Sequence, residues 1–271
     1  MRESAVLFGS TRSLVGIVTE PAAEVARPDA PAVLILNSGL IHRVGPKRLH
    51  VRLARRLAGV GFTCMRIDLS GIGDSRSGSS IDAIHERWCS EAREAMRLLR
   101  EHHGARRFLV AGNCSGAALS YFVALAEPDV VAAALINPPN PRPLRYYLRL
   151  ALKHPAFWRR LVRRDQWSHR VQKARQRLAR LNADTGRPSA TARNPLEELR
   201  SLIERGVHLL VVNCEWDASY DQFQVAHREQ LRALGNGRIH LESIPGSDHD
   251  FNLVSGQERL LDVVQRWAAS L

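Results

Sequence analysis

Gly112-Asn113-Cys114-Ser115-Gly116-Ala117 is the stretch on which the reading of the chain turns. An apolar run, Phe108-Leu109-Val110-Ala111, leads into it, and a helical pattern from Ala117 to Ala126 leads out. Strand, tight turn and helix, with small residues on both sides of the turn, is the setting of a nucleophile elbow, here Gly-x-Nuc-x-Gly with cysteine in the nucleophile slot. The glycines are expected where strand and helix pass too closely for a Cβ, and the turn residue is expected in a strained conformation. Such a turn lifts the Cys114 side chain above the sheet edge and leaves the Ser115 N–H pointing at the same space. Two other readings stay open: a tight turn around a buried thiol, and a register slip that makes Ser115 the nucleophile. The symmetric bracketing of Cys114 by Gly112 and Gly116 favours Cys114.

Outward from the elbow the pattern repeats. Residues 5–8 and 14–19 read as a hairpin around Gly9-Ser10-Thr11-Arg12. Continuous apolar runs at 32–36, 62–67, 130–136 and 207–212 read as strands buried on both faces, and 238–244 as a further strand. Helical spacing covers 47–59, 81–102, 195–205, 221–234 and 257–270. Alternating βα units with short apolar strands predict a mainly parallel sheet with helices on both faces. The core is expected to span 1–139 and 195–271, interrupted by an insertion at 140–194. Asp68-Leu69-Ser70-Gly71-Ile72-Gly73-Asp74-Ser75 lacks the third glycine of a dinucleotide fingerprint and reads as a structural turn.

The net charge of +12 on 271 residues has one source. From Arg142 to Arg193, fifteen Lys/Arg stand against Asp165 and Asp184, so this stretch carries +13 and the remainder is close to neutral. A basic insertion on a neutral body points to local docking of an acidic partner, not to bulk nucleic-acid binding, and no nucleic-acid reading motif is present. Tyr146, Tyr147, Phe157, Trp158 and Trp167 lie among the arginines, a composition that also suits an anionic membrane surface. No stretch approaches the roughly 20 apolar residues of a membrane span, and Met1-Arg2-Glu3-Ser4 lacks a signal-peptide core. Cys64, Cys89, Cys114 and Cys214 are widely spaced, so neither a disulfide framework nor a zinc site is expected, and a reducing cytoplasm is the expected compartment. No cofactor is expected.

A cysteine nucleophile needs a base, and the base needs an anion to hold its tautomer. Functional groups of open α/β sheets gather at the carboxyl ends of strands. After strand 207–212 comes Asn213-Cys214-Glu215-Trp216-Asp217, and after strand 238–244 comes Pro245-Gly246-Ser247-Asp248-His249-Asp250. His249 is the candidate base and Asp217 the candidate acid, with Glu215 as a rival acid; Asp248 and Asp250 read as loop-shaping. His42 reads as packing or surface, within the loop Asn37-Ser38-Gly39-Leu40-Ile41-His42 after strand 32–36. The backbone N–H of Leu40 is assigned with that of Ser115 to an oxyanion hole.

The chain resembles the α/β-hydrolase superfamily over nearly its whole length. Leu36-Asn37-Ser38-Gly39-Leu40-Ile41-His42-Arg43-Val44-Gly45-Pro46, Arg66 to Ser75, and Gly112 to Ala117 look like segments of hydrolases associated with bacterial exosortase systems; related proteins occur beside biosynthetic clusters. The resemblance implies an eight-stranded sheet, a helical lid between strands six and seven at residues 140–194, and a Cys114-His249-Asp217 triad. A thiol in place of serine suits acyl exchange with a thioester or ester at least as well as hydrolysis. An acidic acyl carrier protein or the phosphates of coenzyme A would complement the basic insertion, and peripheral membrane contact is the alternative.

Overall fold

The computed structural model describes residues 1–77, 84–139, 195–215 and 235–271, and the account concerns the body formed within Met1–Asn140 and Glu198–Leu271. The basic insertion at 140–194, the helix expected at 221–234 and Asp217 lie outside the described residues.

Eight strands form one sheet in the order β1-β2-β4-β3-β5-β6-β7-β8. They are β1 (Arg2–Phe8), β2 (Leu14–Glu20), β3 (Ala32–Leu36), β4 (Cys64–Asp68), β5 (Phe108–Asn113), β6 (Val130–Ile136), β7 (His208–Cys214) and β8 (Ile239–Ile244). β1 pairs antiparallel with β2, and β2 antiparallel with β4. From β4 to β8 every pairing is parallel. Among the described residues the expected hairpin and sheet are present, as are the helices expected near 47–59, 81–102, 195–205 and 257–270. The helices are α1 (Leu49–Ala58), α2 (Ile84–His103), α3 (Ser115–Ala126), α4 (Pro195–Glu204) and α5 (Val254–Ala269). α3 begins at Ser115, two residues before the apolar pattern does, because the turn residue itself caps the helix.

The continuous apolar runs are buried on both faces, as their composition requires. Every residue of β3 and β5 is buried. Alternation divides them between two cores. Leu34, Leu36, Phe108 and Val110 pack with Ala92, Met96 and Leu99 of α2 and Val123 of α3. Val33, Ile35, Leu109 and Ala111 pack with Leu53 and Leu57 of α1 and Leu260, Leu261 and Val264 of α5. At roughly 25 cal/mol per Å² of apolar surface, these cores supply the main drive for folding. Among the described residues no helix is long and apolar enough to cross a membrane.

At one place the packing leaves no room for a side chain. A Cβ on Gly112 would lie 2.3 Å from the carbonyl carbon and oxygen of Gly116, and one on Gly116 would lie 2.4 Å from the Asn37 carbonyl oxygen. The obstructing atoms are backbone, so relief requires moving β3, β5 or α3. Gly112→Ala and Gly116→Ala are therefore each expected to cost about 1–3 kcal/mol, seen as a lowered thermal midpoint. Gly237→Ala, where a Cβ meets nothing within 4 Å, controls for strain alone, since its φ is 78°.

Candidate active site

The close approach of β5 and α3 leaves Cys114 to make the turn. Its backbone takes φ 57° and ψ −121°, a strained conformation for a residue with a Cβ. Three hydrogen bonds fix it there: Cys114 N–H donates to the Ile136 carbonyl at 2.9 Å, and its own carbonyl accepts from Ala117 N–H at 3.0 Å and Ala118 N–H at 3.3 Å. Cys114 is partly exposed, and the four cysteines form no disulfide. Ser115 is already helical, and its hydroxyl accepts the Gly39 N–H at 2.6 Å. Only Cys114 occupies the strained turn, so the slipped register with Ser115 as nucleophile finds no support in the backbone.

The loop after β3 is clamped residue by residue. Asn37 Oδ1 accepts Leu69 N–H at 2.9 Å, and its Nδ2 donates to the Ile41 carbonyl at 2.9 Å. Ser38 Oγ lies 3.3 Å from His50 Nε2. Ile41 N–H donates to the Ser38 carbonyl at 3.0 Å. Leu40 is the exception. Among the described residues its N–H has no acceptor, and the residue is 79% exposed. The Ser115 N–H, in the first turn of α3, also has no acceptor among the described residues. Both amides assigned to oxyanion binding thus sit on segments one hydrogen bond apart, and both remain available as donors.

At the end of β6, Asn137 ties the backbone of His249 to the strand whose Ile136 carbonyl holds Cys114. Asn137 is 1% exposed and has φ 45°. Its N–H donates to the Val212 carbonyl at 2.7 Å. Its Oδ1 accepts Cys214 N–H at 2.8 Å, and its Nδ2 reaches the His249 carbonyl at 3.0 Å and Cys214 Sγ at 3.2 Å. Ile136, which holds Cys114, is its chain neighbour, so Cys114 and His249 are joined through two hydrogen bonds and one peptide. Sequence reasoning missed Asn137. Its signal was an asparagine ending an apolar strand before Pro138-Pro139, a residue type that tolerates positive φ and carries both donor and acceptor.

The acids separate by role. Asp217 lies outside the described residues. Its rival Glu215 accepts Gly246 N–H at 2.7 Å and so pins the turn that leads to His249. Asp248 shapes the loop, as expected: it accepts Asn252 N–H at 2.9 Å and Asn252 Nδ2 at 2.6 Å. Burial opposes ionisation of Asp248, but these hydrogen bonds outweigh it and hold the carboxyl below its usual range.

The Asp68–Ser75 turn is structural, as expected, but its centre is a fully buried Asp68 that sequence reasoning passed over. Asp68 Oδ1 accepts Arg43 N–H at 2.6 Å, and Oδ2 accepts Asp74 N–H at 3.1 Å and the Arg43 guanidinium. His42, Asp68 and Asp74 bring ligand atoms within 4.8 Å of one another, the one set among the described residues that could hold a cation. Arg43 Nη1 already stands among them, 2.8 Å from Asp74 Oδ2 and 2.9 Å from His42 Nε2. The guanidinium supplies the charge that an ion would bring. It also holds the Asp74 carboxyl below its usual range, with a smaller contribution from His42.

Comparison with known proteins follows this geometry. The model of the alpha/beta hydrolase family matches residues 33–263. No curated protein matches the chain in sequence. The fold is similar to that of proline iminopeptidase from Mycobacterium smegmatis, at 18% identity and a TM-score of 0.58, covering 99% of this chain and 98% of the other. It is also similar to an a/b serine hydrolase without lid from Xanthomonas campestris, at 17% identity and a TM-score of 0.56, covering 98% and 95%. Dienelactone hydrolase from Anabaena variabilis gives 14% identity and a TM-score of 0.58, covering 99% and 97%.

Two outcomes follow from the clamps. Replacing Asn137 by Leu removes the bonds to Cys214 and His249 and buries their partners unpaired. A stability loss of about 1–3 kcal/mol in denaturant titration is expected, with Asn137→Asp, which keeps both the acceptor for Cys214 N–H and a donor for the His249 carbonyl only when its carboxyl is protonated, less affected at low pH than at high pH. His50 gives a pH signature. Burial first, and the Arg66 charge second, push its pKa down from 6.5 to about 4. The unfolded chain therefore binds a proton below about pH 6.5 that the folded chain refuses until about pH 4. Stability from this group is fully present above pH 6.5 and is lost as pH falls through that window, by an amount on the order of 3 kcal/mol. His50→Gln should be less stable at pH 7 yet lose less between pH 6.5 and 4; parallel pH profiles would rule out His50 as the titrating group.

Proposed function

Because the chain belongs to the alpha/beta hydrolase family, we propose that it is an acyl-transferring hydrolase working through Cys114. The observation that carries this reading is the thiol at the strained elbow flanked by the two acceptor-free amides of Leu40 and Ser115. The Cys114 sulfur attacks the carbonyl carbon of a thioester or ester, with His249 taking the thiol proton. The carbonyl π electrons move onto oxygen, and the Leu40 and Ser115 N–H groups bind that oxyanion. Collapse of the tetrahedral intermediate breaks the bond to the leaving thiolate or alkoxide, which receives the proton from His249. An acyl-cysteine remains. Water or a second nucleophile, deprotonated by His249, then attacks it, and the Cys114 thiolate leaves. Asp217 is assigned to orient the His249 ring and to balance its charge when protonated.

The thiol selects among substrates. An acyl-cysteine is itself a thioester, so accepting an acyl group from another thioester changes little in bond energy, and the product stays reactive toward amines, alcohols and water. Serine hydrolases such as the Xanthomonas neighbour carry an oxygen nucleophile by their description, and ordinary ester hydrolysis does not call for sulfur. The +13 carried between Arg142 and Arg193 favours an anionic donor, either an acidic acyl carrier protein or the phosphates of coenzyme A. The motif resemblance to hydrolases found beside exosortase systems and biosynthetic clusters fits the same role. The aromatic residues among those arginines favour a second reading, docking on an anionic membrane with a lipid-linked substrate; co-sedimentation with anionic against neutral liposomes separates the two.

Incubation with acyl-coenzyme A and acyl-carrier thioesters, followed by intact mass, tests the first reading. An acyl adduct is expected on Cys114; in His249→Ala it should form more slowly but, once formed, persist because deacylation stalls. Cys114→Ala should abolish the adduct and lower turnover by at least about three orders of magnitude. Absence of both adduct and turnover with either donor class would sink it.

A further inference from the structure

Ser115 contributes more than its backbone. Its hydroxyl oxygen accepts the Gly39 N–H at 2.6 Å, across a separation of 76 residues in the chain. Gly39 has φ 57°, and a Cβ there would meet only Ser115 Oγ, at 3.9 Å. With open space around it and no side chain, Gly39 is the residue of this loop with the widest choice of backbone conformation. Its neighbours are held by other means: Asn37 by Leu69 and Ile41, Ser38 by its contact with buried His50, and Ile41 by Ser38. The Leu40 N–H belongs to the peptide that Gly39 orients. That peptide is the centre of the turn closed by Ile41 N–H on the Ser38 carbonyl, and the Ser115 hydroxyl holds the Gly39 N–H on the peptide before it, so its direction is set through Gly39 φ and ψ; among the described residues no side chain bonds the Leu40 N–H itself.

We propose that the Ser115 side chain is a positioning residue, a latch that fixes Gly39 and so aims the Leu40 amide at the space above Cys114. The inference rests on the acyl-cysteine reading for its catalytic consequence, but the latch itself does not. One residue then serves the oxyanion twice: its backbone N–H donates directly, and its hydroxyl sets the direction of the second donor. Hydrogen bonds aimed before the reaction begins stabilise developing charge without reorganisation, and loss of one such donor costs about 10²–10³ in rate. Misaiming one donor costs less than removing it.

The test compares wild type, Ser115→Ala and Ser115→Thr in three measurements. The first is the single-turnover rate of Cys114 acylation by an acyl-coenzyme A, read by intact mass with the modified peptide identified. The second is alkylation of Cys114 by iodoacetamide, a displacement at saturated carbon that creates no oxyanion. The third is amide hydrogen exchange at Gly39, which needs no substrate. Ser115→Ala should slow acylation about 10- to 100-fold, leave alkylation and the thermal midpoint nearly unchanged, and speed Gly39 exchange. Ser115→Thr keeps the hydroxyl and should restore acylation and exchange toward wild type. Unchanged Gly39 exchange in Ser115→Ala overturns the latch, whatever the enzyme acylates. Alkylation falling in step with acylation, or no rescue by threonine, overturns the assignment to the oxyanion. If wild type is alkylated at Cys114 but never acylated, while Gly39 exchange responds as expected, the acyl-cysteine reading fails and the latch stands as a structural feature only.

Discussion

The contact between Gly112 of β5 and Gly116 of α3 is the constraint on which the rest of the site depends. Strand and helix touch backbone to backbone, and Gly116 in turn presses on the Asn37 carbonyl at the end of β3. Three elements thus meet at a point where no side chain fits. The chain must reverse direction within the residues between the two glycines, and it does so by placing Cys114 at φ 57°, ψ −121°. The strain is held because both flanks are committed: β5 is paired on both edges, and α3 is packed into the core through Leu119, Val123 and Ala124. The same contact brings the loop after β3 against the first turn of α3. Cys114 and the Leu40 and Ser115 amides therefore share one junction.

Around that junction the sheet ends in asparagines. Asn37 follows β3, Asn113 ends β5, Asn137 follows β6 and Asn213 lies near the end of β7, all of them no more than 2% exposed. Where parallel strands stop and loops diverge, backbone N–H and C=O groups lose their ladder partners and need others. Asn37 and Asn137 supply them in parallel fashion on either side of β5. Each accepts a backbone N–H from the end of a neighbouring strand or just past it and donates to a loop carbonyl. Asn37 fixes the loop that carries Leu40; Asn137 fixes the loop that carries His249. Segments far apart in sequence are thus tied together by buried amide side chains.

Much of this was legible beforehand, for reasons that lie in particular residues. The strands Ala32–Leu36 and Val130–Ile136 could be bounded from sequence because burial on both faces demands an unbroken apolar run. The elbow was legible because only a close backbone contact explains glycine on both sides of Asn113-Cys114-Ser115. Helix starts were less visible. α3 begins at Ser115 and α5 at Val254, ahead of their apolar patterns, because first turns are set by the incoming loop and not by periodicity. The clamps were the least visible. Asp68, His50 and Asn137 act on residues distant in the chain, and no local pattern announces a partner 25 or 112 residues away. Asn137 alone left a trace, since an asparagine repeatedly closes the buried strands.

The adjacent serine bears on why sulfur stands at the elbow. The thiol and the hydroxyl are chain neighbours, yet the two residues occupy different conformations and make different contacts. Cys114 makes the turn; Ser115 opens the helix and reaches to Gly39. Exchanging their types would place a thiol, a weak hydrogen-bond acceptor, against the Gly39 amide. The short 2.6 Å contact requires oxygen. The order Cys-Ser is therefore chemically asymmetric: the softer atom occupies the strained turn, and the harder atom sits where an amide is held still.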